Sequence, residues 1–166
     1  MTGLHFRDDY STYRKILDIC HIIESELHMM FSKKQLLLLI EKGTVEGLLT
    51  VLQGRPIKVD VTYNSKQARR TNLRDSASGQ VLVLAQTEIN TPDIPPEIMK
   101  DLTEAQLGIG EILTKHKVET RREIHLIGYE PKTESFYREY DIIVGGKVWF
   151  TIMESFSQLL YSSQPI

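Results

Sequence analysis

The sequence predicts an α+β fold built on an antiparallel sheet of about six strands. The spacing of apolar residues is helical up to residue 55 and changes to every second residue after Pro56. Helices and strands then follow in blocks, without the βαβ alternation of a parallel sheet. The dipeptide Gly145-Gly146 joins the last two strands as a hairpin, since both central residues of the favoured turn need a positive φ.

One domain is expected to span residues 1–166, with 1–55 mostly helical and 56–157 forming the sheet with inserted helices. The first three helices are predicted at 10–31, 33–42 and 44–53. Ser32 and Thr44 have side chains that cap the start of a helix, while Gly43 and Gly54 favour its end. Strands are predicted at 57–63, 68–74, 80–89, 118–129, 136–144 and 147–156, with short helices at 95–102 and 108–116.

Composition limits the class of protein. The 20 basic and 22 acidic side chains give a formal net charge of −2, which offers no basic field for nucleic acid. The longest apolar run, residues 36–40, is far shorter than the roughly 20 residues of a membrane-spanning helix. The single cysteine, Cys20, is expected to be a small buried hydrophobe, and the lack of a disulfide is typical of the cytoplasm. We therefore expect a cytoplasmic protein without nucleic-acid or membrane partners, whose oligomeric state stays open.

Three charged residues lie among apolar residues on their predicted strands. Arg122 shares a face with Val118, Ile124 and Leu126, Arg138 with Phe136, Tyr140, Ile142 and Val144, and Glu154 with Val148, Phe150, Ile152 and Phe156. An unpaired ion on a buried face is costly, so each of the three needs a partner or a ligand. Inward arginines beside one inward carboxylate are typical of a pocket for a small anion. The alternative is that the three charges pair with one another.

The register of the last hairpin decides whether Arg138 faces Glu154. With a two-residue turn at Gly145-Gly146, Arg138 lies opposite Met153 instead. With a three-residue loop and a bulge, Arg138 lies opposite Glu154. The sequence leaves both registers open.

Two further clusters carry reactive side chains: His21, Glu24 and His28 on the first predicted helix, and Arg69, Arg70 and Arg74 on one strand. The first has a spacing that could ligate a metal, but no second cluster completes a site, and a polar helix stripe is the simpler interpretation. The second lacks the aromatic-studded basic face of a nucleic-acid site. The sequence has no glycine-rich phosphate loop, HExxH motif, paired CxxC or GxSxG elbow, which excludes the commonest nucleotide, zinc and acyl-transfer enzymes.

Four blocks follow one another between about residues 36 and 157: KGTVEGLLTVLQGRPIKVDV, ARRTNLRDSASGQVLVLAQTEI, LGIGEILTKHKVETRREIHLIG and FYREYDIIVGGKVWFTIMESF. The first block combines a helix, a glycine and a strand, and the second is an arginine strand with a glycine turn. The third block is a leucine-glycine helix followed by an arginine. The last block is a closing hairpin that ends in a glutamate followed by an aromatic residue. In this order the blocks resemble chorismate pyruvate-lyases and the wider chorismate-lyase-like family.

The resemblance implies a chorismate-lyase-like fold, in which helices cover an enclosed pocket on an antiparallel sheet. It also implies elimination of pyruvate from chorismate to give 4-hydroxybenzoate, without a metal or a cofactor. By position, Arg70 and Arg122 are expected to bind the carboxylates of an aromatic or cyclohexadienyl substrate. Glu154 is expected to be catalytic and to assist proton transfer, with Arg138 as its charge partner and a third substrate-binding arginine.

Two departures and one alternative stay open. Glu46 stands where the family usually has a threonine or similar residue, which puts an acid near an anionic ligand, and residues 1–30 match poorly. The alternative function is a non-catalytic protein of the same fold that binds or senses an aromatic carboxylate. The inward Glu154 favours the enzyme, because a pure carboxylate binder gains nothing from a buried acid beside its ligand.

Overall fold

The computed structural model describes residues 3–7 and 12–157, and within these ranges the chain forms seven strands and five helices. The strands are β1 (Leu4–Arg7), β2 (Ile57–Asn64), β3 (Ala68–Asp75), β4 (Val81–Ile89), β5 (Arg121–Glu130), β6 (Ser135–Val144) and β7 (Lys147–Phe156). The helices are α1 (Tyr13–Leu27), α2 (Lys33–Ile40), α3 (Val45–Gln53), α4 (Pro96–Glu104) and α5 (Ile109–Lys115). The predicted domain limits, residues 1 and 166, lie outside the described residues.

The described strands form one antiparallel sheet in the order β1-β5-β6-β7-β4-β3-β2, which confirms the α+β class. The predicted count of about six strands is one too low because β1 was missed. This strand pairs with β5 at the sheet edge, where Leu4 lies opposite Tyr129 and Arg7 opposite Leu126. Four residues place only two side chains on each face, which is too few to produce a recognisable alternation.

The apolar core lies on one side of the sheet, here called the inner face. It includes four buried side chains that pair directly across neighbouring strands: Leu73, Val83, Phe136 and Phe156. Helix α1 contacts β5 and contributes Ile16, Cys20 and Ile23, all fully buried, at the spacing of one helix face. Burial raises the pKa of the Cys20 thiol to about 12, with a smaller contribution from the charge of Glu24. None of the described helices is long and apolar enough to cross a bilayer.

The helix boundaries follow local capping. Helix α1 ends at Leu27 because His28 takes a left-handed conformation with φ of 50°; residues 10 and 11 of the predicted helix lie outside the described residues. Ser32 caps α2 as predicted, since its hydroxyl accepts the backbone N–H of Gln35, whose side chain accepts the N–H of Ser32 in return. Gly54 ends α3 with φ of 66°, also as predicted.

The hairpin between β6 and β7 contains both of the registers that the sequence left open. Next to the turn, Val144 lies opposite Lys147, as a two-residue Gly145-Gly146 turn requires. A bulge then adds one residue to β7, so that Arg138 lies opposite Glu154. The bulge comes from within the strand and not from a longer loop.

Two bulges also correct the predicted faces. The β7 bulge places Val148 opposite Ile143, on the outer side. The residues that were predicted to share its face stay on the inner face: Phe150, Ile152, Glu154 and Phe156. A second bulge in β5 lies between Ile124 and Leu126 and turns Leu126 to the outer side, opposite Glu139. The prediction that Leu126 and Val148 share faces with Arg122 and Glu154 was therefore wrong, because one extra residue reverses every side chain beyond it.

The hairpin turn should tolerate asparagine and reject a branched residue. Gly145 and Gly146 have φ of 56° and 80°, a region that costs a branched residue about 1–3 kcal/mol. Gly146→Val should lower the free energy of unfolding by that amount, whereas Gly145→Asn should change it by less than about 0.5 kcal/mol. Urea denaturation of both variants measures the difference, and equal losses would contradict the turn geometry.

Candidate functional site

A cavity of about 70 Å³, here called the inner cavity, lies between the inner face of the sheet and the first turns of α3 and α5. Its sheet residues are Thr71, Leu73, Ala85, Thr87, Arg122, Tyr140, Ile142, Ile152 and Glu154, and its helix residues are 44–46 and 108–111. Most of these sheet side chains are apolar or uncharged. The two charged ones, Arg122 and Glu154, are both residues that the sequence singled out.

Glu154 is held at both carboxylate oxygens. Arg138 Nε donates to Oε2 over 2.9 Å, and Arg138 Nη2 lies at the same distance from that oxygen. Tyr140 donates its hydroxyl to Oε1, also over 2.9 Å. Burial and the charge of Glu154 raise the pKa of Tyr140, so this hydroxyl keeps its proton and serves as a donor. The carboxylate is therefore fixed in position although only 5% of the residue is exposed.

Arg138 is fully buried and joins three elements. Besides its ion pair, Arg138 Nη1 donates to the backbone carbonyl oxygens of Leu39 and Glu41 at the end of α2. The prediction that α2 extends to residue 42, next to Gly43, was wrong, because the helix ends at Ile40. These bonds account for the earlier end, since the arginine supplies the cation and the donors that the last carbonyl groups need. Arg138 is not among the residues that line the inner cavity. It lies behind Glu154, and its predicted contact with substrate stays a prediction.

Arg122 lines the inner cavity without an acidic partner among the described residues. It is half-buried, and its guanidinium carbon lies 5.6 Å from the centre of the Tyr140 ring. No carboxylate of the described chain lies within ion-pair distance of it, whereas Arg138 is neutralised by Glu154. Arg122 is therefore a cation that can bind an anion without breaking an internal pair.

The arginine cluster on β3 is divided by strand alternation. Arg70 lies opposite Gln86, on the outer side of the sheet, where it is exposed and its guanidinium carbon lies 5.5 Å from the centre of the Tyr63 ring. The structure does not bring Arg70 to the inner cavity. Arg74 forms an ion pair with Asp60 at 3.1 Å.

Arg69 is the inward member of that cluster and was not singled out by itself. It is 1% exposed and donates to the backbone carbonyl oxygens of Ala105 and Leu107, which precede the α5 wall of the cavity. Burial lowers the pKa of its guanidinium. Arg69 shares its face of β3 with Thr71 and Leu73. Of these, only Leu73 is apolar, so the sequence gives little indication of which face of the strand is buried.

Glu46 and Glu111 bring two acids to the helix side of the cavity, each in the first turn of its helix. Burial and, to a smaller extent, the charge of Glu111 raise the pKa of Glu46. An added Cβ at Gly108 would lie 3.0 Å from Glu46 Oε2, so the glycine permits this close approach. Glu46 is thus placed to carry a proton at a higher pH than an ordinary glutamate.

The histidine cluster of α1 is engaged locally. Glu24 Oε2 lies 2.9 Å from His21 Nδ1, and Glu24 Oε1 accepts the backbone N–H of Phe31. His28 lies beyond the last helical residue. Within the part of the chain that the structure describes, no three histidine, cysteine or acidic side chains are grouped to hold a metal ion.

Loss of Arg138 should destabilise the protein strongly. Arg138→Met leaves Glu154 buried without its cation, which costs about 3–5 kcal/mol in a typical buried pair. Adding Glu154→Gln should recover part of this loss, because the uncompensated charge is removed. Arg74→Met, which breaks a half-exposed pair, should cost no more than about 1 kcal/mol. Urea denaturation compares the three, and similar losses for Arg138→Met and Arg74→Met would refute the structural role.

Glu46 should make stability depend on pH. Because its pKa is raised on folding, the folded state keeps the proton longer than the unfolded chain. The free energy of unfolding therefore falls as pH rises from the unfolded pKa of about 4.3 through the folded one. Glu46→Gln should be more stable than wild type at pH 7 and indistinguishable from it near pH 3.

Glu97→Gln is the matched control, since Glu97 is exposed in the first turn of α4. Like Glu46, Glu97 lies at the start of a helix, where an acid is favourable, but unlike Glu46 it is not partly buried. Thermal unfolding at both pH values measures the effect. If the gain in stability is equal at pH 3 and pH 7, or equal in the two variants, the raised pKa of buried Glu46 is not its cause.

Comparison with known proteins places the chain in a family. No family model matches it. It is 32% identical over 141 residues to a protein of Methanocaldococcus jannaschii named "Putative lyase MJ0807". This alignment covers 73% of the present chain and 76% of the other protein. Since the aligned region is most of both chains, the present chain belongs to the family of this Methanocaldococcus jannaschii protein.

Proposed function

We propose that the protein is a lyase that eliminates pyruvate from chorismate and releases 4-hydroxybenzoate. The observation that carries the proposal is that Arg122, a cation without an acidic partner in the described chain, and Glu154, a fixed carboxylate, line one cavity. The name of the relative in the same family supports a lyase in general. The resemblance of the sequence blocks to chorismate pyruvate-lyases supports the substrate.

Arg122 would bind one carboxylate of the substrate. A guanidinium can donate two parallel hydrogen bonds to a carboxylate, which sets orientation as well as position. Its half-buried site reduces screening by water. The ring would then lie against Leu73, Ile142 and Ile152, the apolar part of the cavity wall.

Glu154 would assist the transfer of the ring proton. In this reaction the ether C–O bond to the ring breaks, and the hydrogen on the neighbouring ring carbon leaves as a proton. The departing enolate takes up a proton and becomes pyruvate, so atoms and electrons balance and the ring becomes aromatic. Arg138 and Tyr140 fix the carboxylate before substrate arrives, which lowers the cost of orienting it.

A second function is favoured by one observation. Both oxygens of Glu154 already have donors inside the protein, as expected of a purely structural carboxylate. The chain would then be a non-catalytic binder of an aromatic carboxylate, held by Arg122. Turnover separates the two functions, because a binder is stabilised by 4-hydroxybenzoate but forms no product.

The test follows pyruvate and 4-hydroxybenzoate together after chorismate is added to wild type and variants. Arg122→Ala and Glu154→Gln should each lower kcat/KM by about 100-fold or more. Arg70→Ala is the matched control and should remain within about twofold of wild type, because Arg70 lies on the outer side of the sheet.

The products must appear in equal amounts for the lyase to stand. Wild type that forms neither product, yet gains thermal stability with 4-hydroxybenzoate, would establish the binder. A loss in Arg70→Ala as large as that in Arg122→Ala would instead restore Arg70 to the substrate site and contradict the assignment made from the geometry.

A further inference from the structure

Glu46 is a carboxylate of the inner cavity that the proposed reaction does not use. Its half-buried side chain lines the cavity from the first turn of α3. No group of the described chain donates a hydrogen bond to this carboxylate, so nothing offsets the rise in its pKa that burial causes. A shielded acceptor without a donor is costly, and a ligand that supplies the donor is therefore favoured.

The other two carboxylates that line the cavity are less suited to accept a hydrogen bond from a ligand. Both oxygens of Glu154 already accept hydrogen bonds inside the protein, from Arg138 and Tyr140. Glu111 is exposed, so water competes with a ligand for its oxygens. Of these three carboxylates, Glu46 is the one that is both shielded from water and without a donor in the described chain.

Two glycines at the start of α5 show where Glu46 and Arg122 lie relative to each other. A Cβ at Gly108 would lie 3.0 Å from Glu46 Oε2, and a Cβ at Gly110 would lie 2.9 Å from Arg122 Nη2. The acid and the cation thus approach the same stretch of backbone at positions two residues apart, yet no ion pair joins them. A ligand that contacts both must carry an anion for Arg122 and, at some distance from it, a hydrogen-bond donor for Glu46.

A ring with a carboxylate at one end and a hydroxyl at the other meets both requirements. Chorismate carries its ring hydroxyl opposite its ring carboxylate, and 4-hydroxybenzoate keeps both groups after pyruvate has left. When the ring carboxylate binds Arg122, the hydroxyl lies at the far end of the ring. The separation between Arg122 and Glu46 is of the kind that this ligand needs.

We propose that Glu46 is the specificity residue of the inner cavity and accepts a hydrogen bond from the ring hydroxyl of the ligand, while Arg122 binds the ring carboxylate. This proposal rests on the proposed function for the identity of the ligand. A ring carboxylate that lacks the hydroxyl would leave Glu46 shielded from water and without a donor, and is therefore rejected.

The test compares 4-hydroxybenzoate with benzoate, which lacks only the hydroxyl. Calorimetric titration of wild type should give a dissociation constant at least about tenfold higher for benzoate than for 4-hydroxybenzoate. In Glu46→Met, which keeps the length of the side chain but removes the carboxylate, the ratio of the two constants should fall at least about fivefold. Because both ligands carry the same carboxylate, the ratio cancels any general effect of the cavity's charge.

Glu111→Met is the matched control, because it removes an exposed carboxylate of the same cavity. Its ratio should stay within about twofold of wild type. Glu46→Gln serves as a second variant if Glu46→Met does not fold, since it keeps the shape of the side chain. It retains one acceptor oxygen without the charge, and charge-assisted hydrogen bonds are roughly twice as strong as neutral ones, so its ratio should fall at least about twofold.

Three results would overturn the role of Glu46. The first is wild type that binds benzoate as tightly as 4-hydroxybenzoate, or binds neither. The second is an unchanged ratio in Glu46→Met, or in Glu46→Gln if that variant is used. The third is a fall in Glu111→Met as large as that in Glu46→Met, since the ratio would then depend on the charge of the cavity and not on one acceptor.

Turnover of chorismate separates this proposal from the lyase. Formation of pyruvate by wild type, with a binding ratio that does not depend on Glu46, would leave the lyase standing and refute the specificity role. A ratio that depends on Glu46, without turnover by wild type, would support a binding site for hydroxyl-bearing aromatic carboxylates and refute the lyase.

Discussion

The buried ion pair between Arg138 and Glu154 is the interaction on which the site depends. Both residues face the core, and neither charge could remain there without the other. Arg138 also donates to two carbonyl oxygens at the end of α2, so one side chain connects β6, β7 and that helix. A single guanidinium therefore bonds the end of α2 and holds the catalytic candidate in place.

This pairing creates the asymmetry that makes the cavity useful. Because Arg138 neutralises Glu154, the second inward arginine, Arg122, has no acid of the described chain to neutralise it. Tyr140 connects the two arginines electrostatically, with its ring near both guanidinium groups and its hydroxyl on Glu154. The result is a fixed carboxylate and an available cation on one sheet face, two strands apart with Tyr140 between them. The proposed lyase uses this available cation.

The meeting of Arg138 and Glu154 depends on the bulge in β7. Without the extra residue in β7, Arg138 would lie opposite Met153 and the ion pair would not form. The bulge in β5 changes the side on which Leu126 lies. Arg122 stays inward, because the bulge follows Arg122 in the strand. The position of a bulge depends on how whole strands pack, so it cannot be predicted from the residues of one strand. Sequence alternation could therefore find the three inward charges but could not decide which of them meet.

What the sequence by itself determined was the order of elements after β1, the hairpin turn and the set of charged residues on apolar faces, because these depend on the spacing of neighbouring residues. It also identified Arg122, Arg138 and Glu154 before any fold was known. Only the tertiary structure separated Arg69 from Arg70, since the strand has too few apolar residues to orient itself. Likewise, only the tertiary structure brought the start of α3 and α5 over the sheet to form the inner cavity. These contacts join residues far apart in the chain, and their geometry is set by packing.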